Sequence, residues 1–165
     1  MTFVGIDCGK KGGIVVLDKH GYILQKYVMP LRVVDGKNKI NISALNFILS
    51  ILPEGSMITI EQPGAHAASA AGLRSMTYSF AQCEALLFAN GHADNVTEVI
   101  SQKWQRTYWR KKDFGIDYTT KKAAKQAAER LWPDETWLAT KRSTVAHDGM
   151  IDAALIGFYG LTKAL

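Results

Sequence analysis

Residues 2–28 read TFVGIDCGKKGGIVVLDKHGYILQKYV, and the fold class follows from them. Thr2–Asp7 is an apolar, β-branched run that ends on an aspartate. Gly13–Leu17 is a second such run after a glycine turn, and Tyr22–Val28 alternates apolar with polar positions. Residues of this type at period two suit a pleated, half-buried surface, so all three runs predict strands. His20-Gly21 separates the second from the third as a short hairpin connection would. The chain is therefore expected to open on antiparallel strands.

Working outward, Asn41–Leu52 predicts a helix with Ile42, Leu45, Ile48, Leu49 and Leu52 on one stripe, closed by Pro53. Met57–Ile60 is a short apolar strand that delivers Glu61 at its end. Gln62–Gly72, rich in alanine and glycine, reads as a loop; Ser75–Asn90 reads as a helix stopped by Asn90-Gly91. Asn95–Ile100 is a fifth strand. Ser101 is placed to cap a helix carrying Trp104, Tyr108 and Trp109. Asp117 or Thr119 begins another over Thr120–Trp132, stopped by Pro133, and a last helix runs from about Ala146 to Ala164. Antiparallel strands followed by strands that alternate with helices predict an α/β fold, a mixed five-stranded sheet flanked by helices.

The 165 residues, 47% of them hydrophobic, suffice for one core and are short for two, so a single domain over 1–165 is expected. Met1 leads at once into an apolar run ending on Asp7, unlike a leader peptide, and no stretch has the roughly 18 apolar residues of a membrane span. Two cysteines, Cys8 and Cys83, make neither a disulfide framework nor a zinc spacing. A reduced, cytoplasmic protein is the expectation. The net charge of +5 is unevenly placed: residues 1–100 balance, while 101–142 carry 11 basic against 5 acidic side chains. Such a block is either a phosphate-binding surface or a solvated helical face.

Four acidic residues stand where burial has a cost. Asp7 and Glu61 each end an apolar strand; Asp148 and Asp152 lie four apart on the last helix, hence on one face about one turn apart. Like charges so placed repel. If that helix crosses the first and fourth strands, the four carboxylates converge and need a counter-ion. Hard oxygen donors without a cysteine or imidazole majority point to Mg²⁺ or Mn²⁺. Two such ions, about 3.5–4 Å apart, are the usual device for phosphodiester hydrolysis.

In order and spacing, Gly5-Ile6-Asp7-Cys8-Gly9 with Gly12-Gly13, then Ile60-Glu61-Gln62, then His147-Asp148 and Asp152-Ala153-Ala154-Leu155 resemble the RuvC-like Holliday junction resolvases, most of all their phage and prophage members. The resemblance covers nearly the whole chain. It implies a ribonuclease H-like fold, a homodimer, and paired nicks across four-way and other branched DNA, in a bacterial host's cytoplasm if the gene is viral. It makes Asp7, Glu61, Asp148 and Asp152 the catalytic metal ligands. Cys8 replaces a common proline, and some relatives space the last two acidic residues three apart. His147 is a further candidate, as phosphate donor or proton shuttle, or else a helix-start residue contacting Asp148 or solvent.

For DNA contact, Lys103, Arg106, Arg110, Lys111 and Lys112 interleave with aromatics; Lys121, Lys122 and Lys125 follow on the next helix; Lys141 and Arg142 precede the last one. Thr119 and Thr120 offer donors to a phosphate at a helix start. The loop Pro63–Ser75, with His66, Leu73 and Arg74, and Met76 just beyond it, corresponds to the region that relatives use to reach into a junction. Tyr78–Phe88 resembles the family's dimer helix, with Phe80, Leu87 and Phe88 suited either to a twofold mate or to the core. Two other classes fit parts of the sequence: a branched-DNA-binding protein without catalysis, and an actin- or sugar-kinase-like fragment opening on Gly-Ile-Asp-x-Gly. The latter needs a second domain and a second phosphate motif, which this chain lacks.

Overall fold

The computed structural model of the chain describes residues 1–64, 69–114 and 118–165. A five-stranded sheet has the order β3-β2-β1-β6-β7, built from β1 (Thr2–Asp7), β2 (Gly13–Asp18), β3 (Ile23–Val28), β6 (Met57–Gln62) and β7 (Val96–Ile100). β1, β2 and β3 pair antiparallel, while β6 and β7 continue parallel to β1. The expected mixed sheet is present. A separate hairpin of β4 (Leu31–Val34) and β5 (Lys37–Ile40), which the sequence reading did not anticipate, stands between β3 and the first helix.

Period two sorts the strand residues between two cores. Phe3, Val15, Leu17 and Val99 face α3 (Ser101–Tyr108), α4 (Thr120–Leu131) and α5 (Asp148–Ala164). Val4, Ile6, Ile14, Val16, Ile58 and Ile60 face α1 (Ile42–Ser50) and α2 (Ala70–Ala89). Both cysteines are buried and free on the second side. Among the described residues no helix is long and apolar enough to cross a membrane.

Capping explains several boundaries. Asn41 accepts from the Ala44 N–H and Thr119 from the Lys122 N–H, each satisfying a donor that the helix start leaves free. Ser69 does the same for α2, which therefore starts at Ala70, five residues before the expected Ser75. Ser101 is the first residue of α3 and not its cap. The alternative helix start Asp117 lies outside the described residues, as does His66.

One contact fixes where α5 lies. A methyl group on Gly5 would sit 1.9 Å from the Ala153 carbonyl oxygen and 2.3 Å from the Gly157 nitrogen. A second close approach, nearer the N-terminus of α5, puts a methyl on Gly149 2.0 Å from the Lys11 carbonyl oxygen. With no side chain between them, the α5 backbone rests directly on β1 and on the β1–β2 turn.

Candidate active site

Asp7 and Glu61 emerge from the same face of the sheet. Ile6 is paired with Ile60 in the parallel register, so the next residue of each strand, one pleat on, turns toward α5. α5 covers that face and brings Asp152 over the strand ends. Asp7, Glu61 and Asp152 together line a cavity of about 190 Å³ with Cys8, Gly9, Gln62, Pro63 and Met76. Met76 belongs to α2, so the cavity reaches round the end of the sheet from one helical layer to the other.

The electrostatics show what this proximity does. Burial, then the charges of Asp7, Glu61 and Asp148, push the Asp152 carboxyl up to about 8, against a smaller opposing pull from Lys121. Burial and the Asp7 charge raise Glu61 to about 7. Burial also raises Asp7, against the Gly9 N–H donated to its Oδ1 at 2.9 Å and a nearby His147. Each carboxylate is disfavoured by burial, and Glu61 and Asp152 also by their acidic neighbours; such a cluster is relieved by a cation.

Asp148 stands apart from these three. It is the first residue of α5, where the helix dipole favours an acid, and it pairs with Lys121 Nζ at 2.5 Å with 45% of its side chain exposed. It occupies the rim and does not line the cavity. His147 is the N-cap of α5, not a residue within it: its Nδ1 accepts the Met150 N–H at 3.2 Å. That bond leaves Nε2 to carry the proton of the neutral ring.

Trp104, on the helix that the sequence placed after Ser101, is 1% exposed. Its indole Nε1 is buried and has no hydrogen-bond partner of good geometry among the described residues. Trp104 and the Ser101 hydroxyl lie beside Glu61 and pull its pKa back down. Nothing local in the sequence set its indole beside Glu61.

Ten cations were singled out for DNA contact, and all ten side chains are exposed. Arg106, Arg110 and Lys111 line one groove of about 610 Å³ with Gln102, Gln105, Trp109 and Tyr118, and Lys112 follows on the next exposed turn. Arg110 is also paired with Asp113 at 3.4 Å, and Lys125 with Glu129 at 3.7 Å. Lys121 and Lys122 stand at the start of α4, beside Asp148, whereas Lys141 and Arg142 occupy an exposed turn before α5. Lys103 is placed elsewhere, on the wall of a cavity with Glu98, Tyr159 and Lys163 at the far end of α5. Of the three α2 residues weighed for a dimer face, Leu87 turns into the core and Phe80 packs partly against it, while Phe88 is 72% exposed.

A divalent ion suits the chemistry of this cavity: three oxygen donors, partly buried, whose mutual repulsion a cation would relieve. Among the described residues no three His, Cys, Asp or Glu side chains are already drawn around one ion position. Mg²⁺ keeps several waters and uses as few as one or two carboxylates directly, so a wide carboxylate set suits it.

No protein-family model matches the chain, and no curated protein matches it in sequence. Among solved structures, it is similar to T. thermophilus RuvC in complex with Holliday junction substrate, with a TM-score of 0.63 and 11% identity over 99% of this chain and 96% of that one. That likeness, with the strand order and flanking helices above, establishes the RuvC-type, ribonuclease H-like fold.

Proposed function

We propose that residues 1–165 form a single nuclease domain, a divalent-metal-dependent endonuclease that resolves four-way and other branched DNA by paired nicks as a homodimer. The observation that carries this reading is the meeting of Asp7, Glu61 and Asp152, 54 and 91 residues apart in the chain, on one cavity where burial disfavours all three ionised forms and acidic neighbours disfavour those of Glu61 and Asp152 further. A pure binding module would gain nothing from such a cluster beside DNA phosphates.

When Mg²⁺ or Mn²⁺ is bound, it supplies the positive charge that lets a phosphodiester approach and the activation of water that hydrolysis requires. Asp7, Glu61 and Asp152 would hold it. The Gly9 N–H fixes the Asp7 carboxylate, and Ser101 and Trp104 beside Glu61 favour its ionised form. At the rim, Asp148 and Lys121 form an ion pair, and the His147 Nε2–H is available to a phosphate oxygen. The groove of Arg106, Arg110 and Lys111 and the start of α4 would follow the DNA backbone. A twofold mate fits the outer side of α2, where Tyr78 and Phe88 are 66% and 72% exposed. A solved structure of this fold that holds a Holliday junction makes that substrate the first to try.

Incubating the protein and Mg²⁺ with labelled four-way, three-way, flap and linear DNA tests the reading. Cleavage of the four-way junction is expected, with Asp7→Asn lowering the rate at least about a thousandfold while the junction is still bound. Binding without cleavage by the wild type would leave a branched-DNA-binding protein. No binding to any branched DNA would remove the proposal.

A further inference from the structure

Summed along the sequence, residues 1–100 are neutral, but the fold does not leave them so. The antiparallel register places Asp7 opposite Gly13, and Gly13 opposite Val28. The end of β3 therefore lies at the same edge of the sheet as the carboxylate cavity. The β4–β5 hairpin springs from that edge. The Met29 N–H donates to the Gly12 carbonyl at 3.0 Å, and the Asn41 N–H closes the hairpin base on the Pro30 carbonyl at 2.9 Å. Four residues per strand carry it about 13 Å outward. Asp35 and Gly36, with φ of 52° and 69°, make the turn that a tight hairpin requires.

The register of the hairpin gives it two unlike faces. Leu31 pairs with Ile40, Arg32 with Lys39, Val33 with Asn38 and Val34 with Lys37. Alternation thus puts Arg32, Lys37 and Lys39 on one face, with Arg32 and Lys39 directly opposed. Like charges in that position destabilise a strand pair. All three cations are exposed, and none is in an ion pair among the described residues. A two-stranded ribbon is marginal even without such a penalty. Only its base is anchored, by Ile40 at 4% exposure in the α1–α2 core. Lys10 and Lys11 are exposed in the β1–β2 turn at the same edge. Five exposed cations therefore stand beside the carboxylate cavity, and on the hairpin itself the one acid is Asp35 at the tip. The hairpin carries no aromatic side chain with which to stack a base, so the chemistry it offers is phosphate recognition.

We propose that the β4–β5 hairpin is a second contact for the nucleic-acid backbone, holding a DNA arm that leaves the cavity on the α1–α2 side. This rests on the branched-DNA reading and extends it. The cations of α4 flank the cavity on the α5 side of the sheet and the hairpin flanks it on the other. Strands that diverge from one point need contacts on both.

The test is the salt dependence of binding, measured by anisotropy in EDTA with a labelled four-way junction and the triple variant Arg32→Gln/Lys37→Gln/Lys39→Gln. Each lost phosphate contact removes about 0.9 from the slope of log affinity against log salt, so the slope should become shallower by about 2 to 3. Lys19→Gln, exposed at the opposite end of the sheet, should leave it unchanged, and so should Arg32→Lys. Should the triple variant melt early, Lys37→Gln/Lys39→Gln reads the same effect with a change of about 2. An unchanged slope in a folded variant overturns the hairpin contact and leaves the branched-DNA reading standing. A shallower slope in a protein that does not cut upholds the contact and removes only the nuclease. Wild type that binds no DNA, either in EDTA or with Ca²⁺ added, overturns both.

Discussion

Trp104 shows how a core residue acquires a second duty. Its indole fills the α3 side of the sheet beside Glu61, and its buried N–H has no hydrogen-bond partner among the described residues. That donor favours the ionised carboxylate and offsets part of the burial that raises Glu61 to about 7. Trp104→Phe keeps most of the volume and removes the donor. Without the donor the Glu61 carboxyl rises further, so the acidic limb of the cleavage pH profile should move to higher pH. Trp104→Leu, which also lacks the N–H, should shift the limb equally; a limb that does not move in either variant would show the N–H to be idle. Residue identity and spacing alone made Asp7, Glu61 and Asp152 candidates. They could not separate Asp148 from the others, because the Lys121 pairing depends on where α4 docks. Nor could they show that His147 caps α5, since histidine is an uncommon cap and the pattern of the helix runs smoothly past it.

At the scale of elements, β1 was legible to the residue because an apolar run fully buried on both faces has few alternatives. The β4–β5 hairpin was not. Its strands are short and mostly polar on one face, so no periodicity stands out, and only Asp35-Gly36 signals the turn. α2 started early because its Ala- and Gly-rich first turn carries little amphipathic pattern, and the Ser69 cap decides the matter. The close seating of α5 on β1 was also hidden, since glycine in a strand reads first as a weakness. Gly5→Ala tests it: with a methyl 1.9 Å from a carbonyl oxygen, backbone must shift, and a loss of about 1–3 kcal/mol in denaturant unfolding is expected. A change within error would mean that α5 is free to slide on the strand.

For the whole molecule, the raised carboxyls make stability depend on pH in an unusual direction. A carboxyl whose folded pKa lies above its unfolded value binds more protons folded than unfolded. Its contribution is complete below about pH 4 and is lost as pH rises through the folded values, about 7 for Glu61 and about 8 for Asp152. In EDTA, unfolding free energy should therefore fall by several kcal/mol from mildly acid to mildly alkaline solution. Mg²⁺ should restore more of it the higher the pH, with protons released on binding. A midpoint in EDTA that is flat or rising between pH 5 and 8 would contradict this. The overall charge pattern was only half legible. Composition located the basic block around α3 and α4, while the hairpin cations cancelled in the count against acids of which some are sunk in the cavity and others lie away from the hairpin.

The bare contact between Gly5 and Gly157 has one more consequence. Where two main chains touch, their separation is set by the peptide units and not by whatever side chains fill the interior. The spacing of Asp7 from Asp152 is thus gauged by a spacer that the rest of the core is free to ignore. Interior residues can then drift in identity and size without altering the reach between those two acids, provided both glycines stay. A fold shared over 99% of the chain at 11% identity is what such insulation permits.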